Sequence, residues 1–350
     1  MPETLERLYR QVARKVLSES IGLKKGESLT VETWTSGFPF ARTVVSETRK
    51  IGGIPIMLYE DEDLYIEGVR NTPKDVLGTM GKHENALLAG SDAYVFIPGP
   101  PIGAYSRKIT RQEVIDSTKY NSSWYEAAEK AKLRGVRLTF GYVGEDLAKL
   151  LRKNVAEVVA HQLRASLVDF DKMREKGKVV AKHLSDGSQA KLNSADMKLD
   201  FEFQGELEIQ DGVTDEEDVS GGNTMSYVPP GYVYKKVNTT SVSGKVKLSP
   251  SVTRFGLLHD ATIEFDRGKI VRWSSTRSSE ILKKIDAVVS EKGIRLSYVT
   301  VGLNPSMRLG FAQDRFPAGS IGLGMEFTGI VANGTLEVEG DVLVNKGRLA

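Results

Sequence analysis

The chain has 350 residues, and its 48 lysines and arginines nearly balance its 46 aspartates and glutamates, which gives a formal net charge of +2. Because the basic residues form no stripe, we expect no nucleic-acid partner. The absence of cysteine excludes disulfides, thiolate metal sites and cysteine nucleophiles. No apolar run reaches the roughly 20 residues of a membrane span, and no apolar secretory segment opens the chain, so we expect a cytoplasmic protein without a membrane partner.

Helical and strand patterns alternate in the first half of the chain. Apolar residues at helical spacing predict an opening helix that ends before Gly22. Further helices are predicted at residues 39–50, 73–89 and 124–133, and strands at residues 28–32, 54–59, 92–97 and 136–140. This alternation is typical of a mostly parallel sheet with helices on its faces, so we predict an N-terminal Rossmann-like α/β domain at residues 1–165. No glycine-rich nucleotide motif follows these strands.

The second half of the chain is richer in strands. A helical pattern at residues 155–175 bridges the two halves, and another covers residues 277–292. Alternating runs predict strands at residues 197–203, 262–265, 270–273 and 336–344. We therefore predict a second, C-terminal α+β domain at residues 166–350, with a mixed or antiparallel sheet.

The four histidines do not predict a metal centre. They are His83, His161, His183 and His259, and no two of them have a ligand spacing such as HxxxH or HxD. We interpret His161 as a surface or bridging residue of a helix. His259 and Asp260 precede a strand, where a turn or cap is the favoured role.

Two further patterns have structural interpretations. The acidic run at residues 211–218 could hold a hard cation, but it lacks the spacing of an EF-hand loop and is interpreted as a solvated charged segment. The glycines of residues 319–324 resemble a phosphate loop. Because no lysine followed by serine or threonine comes after them, close backbone packing is the favoured explanation.

Several stretches of the second half place a proline or glycine turn beside an apolar strand, a common way to form a cleft. Read in order, they resemble the aminopeptidase S/aminopeptidase T family of metallo-exopeptidases. Residues 228–234 (VPPGYVY) resemble its NxPxGEVFTAP element, and residues 301–305 (VGLNP) resemble its IGxNP element. Residues 242–246, 263–271 and 336–340 resemble further elements in the same order, and a weaker similarity lies at residues 22–27. The resemblance implies an N-terminal α/β domain, a C-terminal metal domain of the aminopeptidase S/T type, and a homodimer.

The same resemblance implies that most of the family's metal ligands are substituted in this chain. Two glutamates of the family correspond to Tyr232 and Tyr298, and one histidine corresponds to Gly322. The later HxD pair falls on Glu326 and Thr328, of which only Glu326 could ligate a hard cation well. A related branch, the iron-dependent dihydroxypyridine dioxygenases, also places histidines among these positions, and this chain lacks that pattern too.

We therefore expect a metal-free relative, without a cofactor, that binds a peptide, a small molecule or a partner chain in the former metal cleft. Two tyrosines in place of ligands motivate this hypothesis. The candidates for the cleft are Tyr232, Tyr298, Asn304, Arg308, Asp314 and Glu326.

Two alternatives stay open, so the sequence does not decide whether the chain is an enzyme. The first is an active metal-dependent aminopeptidase or other hydrolase with a rearranged site, in which one divalent metal is surrounded by Glu326, Asp314 and either Glu264 or Glu280. The second is catalysis without metal, with a tyrosine as general acid and Arg308 or Asp314 orienting the substrate. Asn304, Arg308 and Asp314 fit structural turn roles equally well.

Overall fold

The structure is a computed structural model that describes residues 4–101, 111–253, 256–286, 293–309, 316–325 and 327–350, with the backbone alone at residues 111–118. The chain divides into two compact units. The N-terminal unit comprises Met1–Leu167 and Gly212–Pro229, and the C-terminal unit comprises Val168–Asp211 and Pro230–Ala350. The chain therefore leaves the N-terminal unit, returns to it for one short segment, and leaves it again.

In chain order, the α-helices of the described residues are α1 (Leu5–Lys15), α2 (Phe38–Lys50), α3 (Glu62–Asn71), α4 (Lys82–Ala89), α5 (Arg111–Lys130), α6 (Glu145–Leu150), α7 (Val155–Ala165), α8 (Phe170–Ala181), α9 (Glu216–Ser220) and α10 (Ser279–Asp286). The strands of the first 250 residues are β1 (Ser28–Trp34), β2 (Ile54–Glu60), β3 (Ala93–Ile97), β4 (Arg134–Leu138), β5 (Gln189–Ser194), β6 (Met197–Gln210), β7 (Met225–Val228), β8 (Tyr232–Val237) and β9 (Ser243–Lys247). The later strands are β10 (Ser251–Thr253), β11 (Gly256–Leu258), β12 (Thr262–Asp266), β13 (Lys269–Ser274), β14 (Tyr298–Gly302), β15 (Ile321–Gly324), β16 (Thr328–Val331), β17 (Thr335–Val338), β18 (Asp341–Asn345) and β19 (Arg348–Leu349).

The N-terminal unit is built around a parallel sheet in the order β2-β1-β3-β4-β7. One face of the sheet is apolar, and its buried residues include Leu29, Val31, Val95 and Val136. Because successive side chains of a strand point to opposite faces, the residues between them lie on the other face. That second face is covered in part by α4 and α5, through a buried cluster of Leu88, Tyr94, Trp124, Ala128, Leu133 and Met225.

The C-terminal unit is built around antiparallel strands in the order β16-β15-β14-β8-β6-β5-β17-β18-β19. A branch leaves this path where β9 pairs with both β6 and β12, and β13 pairs with β12. Helix α8 packs against the central strands so closely that a side chain at Gly177 would overlap that of Ile209. The described residues thus combine a parallel sheet with an antiparallel, strand-rich sheet, which confirms the mixed α/β class.

Several predicted elements differ from the structure. The predicted helix at residues 73–89 is wrong at its start, because Pro73 follows the end of α3 and the helix α4 begins only at Lys82. The predicted helix at residues 155–175 is two helices, since α7 ends at Ala165 and Asp169 caps a new helix by accepting a hydrogen bond from the Lys172 N–H at 3.0 Å. The run 336–344 is a hairpin, and of the predicted helix 277–292 only α10 lies within the described residues.

Strand β7 joins the parallel sheet of the N-terminal unit as its fifth strand, although it follows β6 in the chain. Its four residues were too few to stand out in the sequence beside the longer stretch that contains them.

No helix among the described residues is long and apolar enough to cross a lipid bilayer.

Candidate functional site

Four of the five positions that the family resemblance assigns to metal ligands lie within the described residues, and they share one face of the C-terminal sheet: Tyr232, Tyr298, Gly322 and Thr328. In the antiparallel register, Tyr298 of β14 is opposite Lys236 of β8 and Gly324 of β15. Two residues further along β14, Thr300 is opposite Tyr234 and Gly322. Because side chains alternate between faces, the even-numbered residues of these strands share one face. We call this the aromatic face, and it comprises Tyr232, Tyr234, Tyr298, Gly322 and Gly324 of the strands together with Phe316, which packs on them.

The opposite face of the same strands explains why the tyrosines point where they do. It consists mainly of buried apolar side chains, among them Val233, Val299, Val301, Ile321 and Leu323. A shift of register by one residue would expose these side chains and bury the tyrosines, so the apolar face fixes the position of the aromatic one. The tyrosine side chains of the aromatic face are half-buried and so remain partly accessible to solvent.

Aromatic rings cover the glycines of this face. The ring of Tyr298 lies over Gly324, and the ring of Phe316 lies over Gly322, so closely that a Cβ atom at either glycine would overlap the ring. The rings also meet edge to face in two pairs: the centroids are 5.6 Å apart for Tyr232 and Phe316, and 5.2 Å apart for Tyr234 and Tyr298. These separations are those of favourable aromatic pairs, so the face is a packed apolar surface.

Polar groups border the aromatic face on its β6 side. The Lys236 ammonium is 2.7 Å from the Glu206 carboxylate, and this hydrogen bond holds the pKa of Glu206 below its ordinary value. Burial raises the pKa of Tyr234, and its hydrogen bond to Glu206 and the charge of Glu206 raise it further. The Tyr234 phenol therefore stays protonated at neutral pH and acts as a hydrogen-bond donor.

Asn304 does not point into a cleft, although it is a cleft candidate. It is 1% exposed, and its amide donates to the Pro230 carbonyl at 2.7 Å while its side-chain oxygen accepts from the N–H groups of Ser306 at 2.9 Å and Met307 at 3.2 Å. The side chain thereby joins two loops. Gly231 fits against it only without a side chain, because its φ is +107° and a Cβ would lie 2.7 Å from the Asn304 Cβ. Asn304 is structural.

The described part of the structure does not bring the other candidates together at the aromatic face. Arg308 is exposed, and Asp314 and Glu326 lie outside the described residues. Glu264 is 3.3 Å from the Lys245 ammonium on the neighbouring strand, and Glu280 is 2.8 Å from Lys283 one turn along α10. These ion pairs give the two glutamates local partners and do not favour the rearranged metal site.

His161 is buried, and Asp260 and two residues of the acidic run have structural partners. His161, interpreted as a surface or bridging residue, is 9% exposed on the inner side of α7, because that helix buries the face on which the histidine lies. Asp260 adopts the left-handed conformation, with φ +48°, and pairs with Arg277, as expected of a turn. In the acidic run, Asp211 pairs with Arg174 at 2.5 Å and Asp215 caps α9.

The residues that the family resemblance places at ligand positions do not fit two divalent metal ions. Phenols, a glycine and a threonine stand at four of the five positions, and none of these is the carboxylate or imidazole that such ions require. Across the ranges that the structure describes, no three histidine, aspartate or glutamate side chains are grouped closely enough to hold a metal ion.

Sequence reasoning identified two of the rings and missed two. Tyr234 follows Tyr232 at the strand period of two, so the alternation of β8 could have revealed it. Phe316 lies outside any strand, and no local pattern connects it to Gly322.

Residues 5–293 match the family model of the thermophilic metalloproteases (M29), and Tyr298, Gly322 and Thr328 lie beyond the matched segment. Among solved structures, the chain is similar to wild-type AmpT from Thermus thermophilus, with a TM-score of 0.67 at 14% identity over 99% of this chain and 100% of that chain. At this identity the likeness concerns the fold alone. No curated protein matches the chain.

Proposed function

Because the chain belongs to the thermophilic metalloprotease (M29) family, we propose that it is an aminopeptidase-family relative that binds a peptide on its aromatic face, through apolar side chains and without a metal ion. One observation carries the proposal: the rings of Tyr298 and Phe316 fill the space above Gly324 and Gly322. Aromatic surfaces of this kind bury large apolar groups favourably. The family resemblance adds a homodimer to the proposal, and sedimentation of the purified chain measures its oligomeric state. The expected location is the cytoplasm, since no apolar secretory segment was found in the sequence.

The first test separates binding from metal-dependent hydrolysis. Protein purified without chelator is analysed for bound metal and assayed on aminoacyl anilides with added zinc, cobalt or manganese. We expect substoichiometric metal and no turnover, because Glu326 is the one carboxylate among the five positions that the resemblance assigns to ligands, and none of them is an imidazole. Stoichiometric metal together with turnover would instead establish the rearranged hydrolase.

The second test measures binding of a blocked peptide, N-acetyl-Leu-Phe-amide, by calorimetry. The blocked ends leave only side chains and peptide groups for recognition. We expect Tyr232→Ala and Tyr298→Ala each to weaken binding about tenfold, since each removes a large aromatic contact. Trp273→Ala is the matched control, because Trp273 is a partly exposed aromatic residue of β13, outside the aromatic face. Equal losses in all three variants would contradict the assignment of the face.

A further inference from the structure

A second polar and aromatic surface lies on the parallel sheet of the N-terminal unit. The parallel register places Glu32 of β1, Phe96 of β3, Arg137 of β4 and Tyr227 of β7 side by side on one face. All four residues are partly exposed. They lie in the carboxyl-terminal part of their strands, whereas the amino-terminal part of the same face is covered by the apolar cluster under α4 and α5.

The position of these residues in the sheet is one that binds ligands in many open α/β folds. Strand order reverses between β1 and β3, because β2 follows β1 on one side and β4 follows β3 on the other. Such a reversal leaves a crevice at the carboxyl ends of the two strands. Glu32 and Phe96 lie at this crevice, and Arg137 is one strand further along.

Arg137 presents a guanidinium among aromatic rings. Its central carbon is 5.2 Å from the ring centroid of Phe96, 5.5 Å from that of Tyr142 and 5.9 Å from that of Tyr227. Its described hydrogen-bond partners are the phenols of Tyr142 and Tyr125. Within the side chains that the structure describes, no carboxylate lies within 4.0 Å of this guanidinium. A planar cation held this way is suited to a carboxylate ligand.

The other side of the surface is acidic. The Tyr94 hydroxyl donates a hydrogen bond to Glu32, and Glu60 of β2 and Glu84 of α4 lie near enough to disfavour its ionisation. Burial, helped by these two neighbours, raises the pKa of Glu32 to about 7. A cationic group placed here would relieve the repulsion among the three carboxylates.

We propose that this surface binds a short peptide with free ends, whose carboxylate is held by Arg137 and whose ammonium group is held by Glu32 and Glu60. Neighbouring strands are about 4.8 Å apart, so the backbones at Glu32 and Arg137 are separated by about 10 Å. An extended peptide spans about 3.5 Å per residue, so two or three residues bridge the distance. Phe96 lies on the strand between the two anchors, and its side chain packs against the apolar cluster with the Arg137 guanidinium over its ring.

Charge excludes the other simple ligands. A phosphate or nucleotide carries two or more negative charges, and the three nearby carboxylates would repel it. A free amino acid has both charges on one Cα atom, closer together than the about 10 Å between the backbones of the two anchors. This surface requires free peptide ends, whereas the aromatic face of the C-terminal unit is proposed to bind side chains, so the two proposals can fail separately.

Calorimetric titration with trialanine, trialanine amide and N-acetyl-trialanine tests the inference on the unaltered chain. We expect saturable binding of trialanine, and binding about tenfold or more weaker for each blocked peptide, because each loses one charged anchor. No saturable binding up to about 10 mM, or equal affinity for the three peptides, overturns the inference.

Variants then assign the anchors. Arg137→Met should remove the preference for a free carboxylate and leave the preference for a free ammonium group, and Glu32→Gln should do the reverse. Arg134→Met is the matched control, because Arg134 lies at the start of the same strand and pairs with Glu27 at 2.7 Å. Circular dichroism verifies the fold of each variant. Unchanged preferences in folded Arg137→Met protein contradict the assignment.

Discussion

Two positions of the aromatic face require glycine, because aromatic rings occupy the space that a side chain would need. We predict that Gly322→Ala destabilises the chain by about 1–3 kcal/mol, because its Cβ would overlap the Phe316 ring. Urea unfolding measures the change. In Phe316→Ala the space is already empty, so the same glycine substitution there should cost much less.

A helical glycine with open surroundings provides the control for this prediction. Gly68 of α3 has no atom within 4 Å of an added Cβ, and its φ lies outside the left-handed region. Gly68→Ala should therefore stabilise the chain by about 0.5–1 kcal/mol. A cost at Gly322 that persists in the Phe316→Ala background would show that the ring is not its cause.

The charge of Glu32 gives a prediction for pH dependence. Its pKa rises on folding from the ordinary 4.5 to about 7, under burial and the charges of Glu60 and Glu84, against the opposing effects of Tyr94 and Arg137. The native state therefore binds more protons than the unfolded state between these two pH values, and stability falls as pH rises through them. Glutamine has no such proton, so Glu32→Gln should gain about 1–3 kcal/mol relative to the parent between pH 5 and pH 8.

Chemical denaturation at the two pH values measures this gain, and Glu27→Gln is its control. Against the effect of burial, the Lys24 amide and the Arg134 guanidinium lower the pKa of Glu27. Its contribution to stability is lost only below the unfolded pKa, so the difference between Glu27→Gln and the parent should barely change from pH 5 to pH 8. A constant difference for Glu32→Gln as well would contradict the raised pKa.

At this scale the sequence singled out some residues of the two proposed surfaces and not others, for a physical reason. Tyr232 and Tyr298 stand out because each occupies a defined place in a local motif. Glu32 and Arg137 are single charged residues in otherwise apolar strands, separated by about a hundred positions, and only the parallel register brings them onto one face. A contact that depends on the order of strands in a sheet produces no pattern among neighbouring residues in the sequence.

At the scale of elements, one buried threonine links β7 to the rest of the parallel sheet. The Thr214 hydroxyl donates to the Gly135 carbonyl at 2.7 Å and accepts from the Ser226 N–H at 3.0 Å, so it joins the returning segment to β4 and β7. It is 1% exposed. We predict that Thr214→Val, which keeps the shape and removes the hydroxyl, destabilises the N-terminal unit by about 1–3 kcal/mol, because two buried backbone groups lose a partner. Thermal unfolding measures the effect.

The matched control is Thr43→Val, because Thr43 lies on the exposed side of α2 and its hydroxyl bonds only to a carbonyl of its own helix, at 3.3 Å. That change should remain within about 0.5 kcal/mol of the parent. Similar losses for the two threonines would show that the link through Thr214 does not stabilise β7.

The sequence predicted the first four parallel strands because each is a long apolar or alternating run bounded by glycine or proline. Its helix boundaries were less accurate where a cap or a turn interrupts an apolar pattern, as at Asp169 and Pro73. The interruption at Asp169 depends on one capping hydrogen bond, which periodicity does not record, and the one at Pro73 on the conformational limits of proline.

On the scale of the whole molecule, the chain crosses between its two units at residues 167–168, 211–212 and 229–230. The N-terminal unit is therefore not a continuous piece of sequence. A fragment that ends near residue 167 lacks β7, so the Gly135 N–H loses its bond to the Thr224 carbonyl and the apolar cluster loses Met225. An unpaired, partly apolar strand edge is prone to aggregation.

We predict that fragment 1–167 aggregates, whereas the same fragment joined through a flexible glycine–serine linker to residues 212–229 stays monodisperse and unfolds cooperatively. The added segment restores the fifth strand and the Thr214 link, so its effect should exceed that of any single substitution in it. Size-exclusion chromatography and thermal unfolding compare the two proteins. A joined fragment in which residues 212–229 are scrambled is the control, and if it behaves like the native order, pairing of β7 with β4 is not what the unit requires.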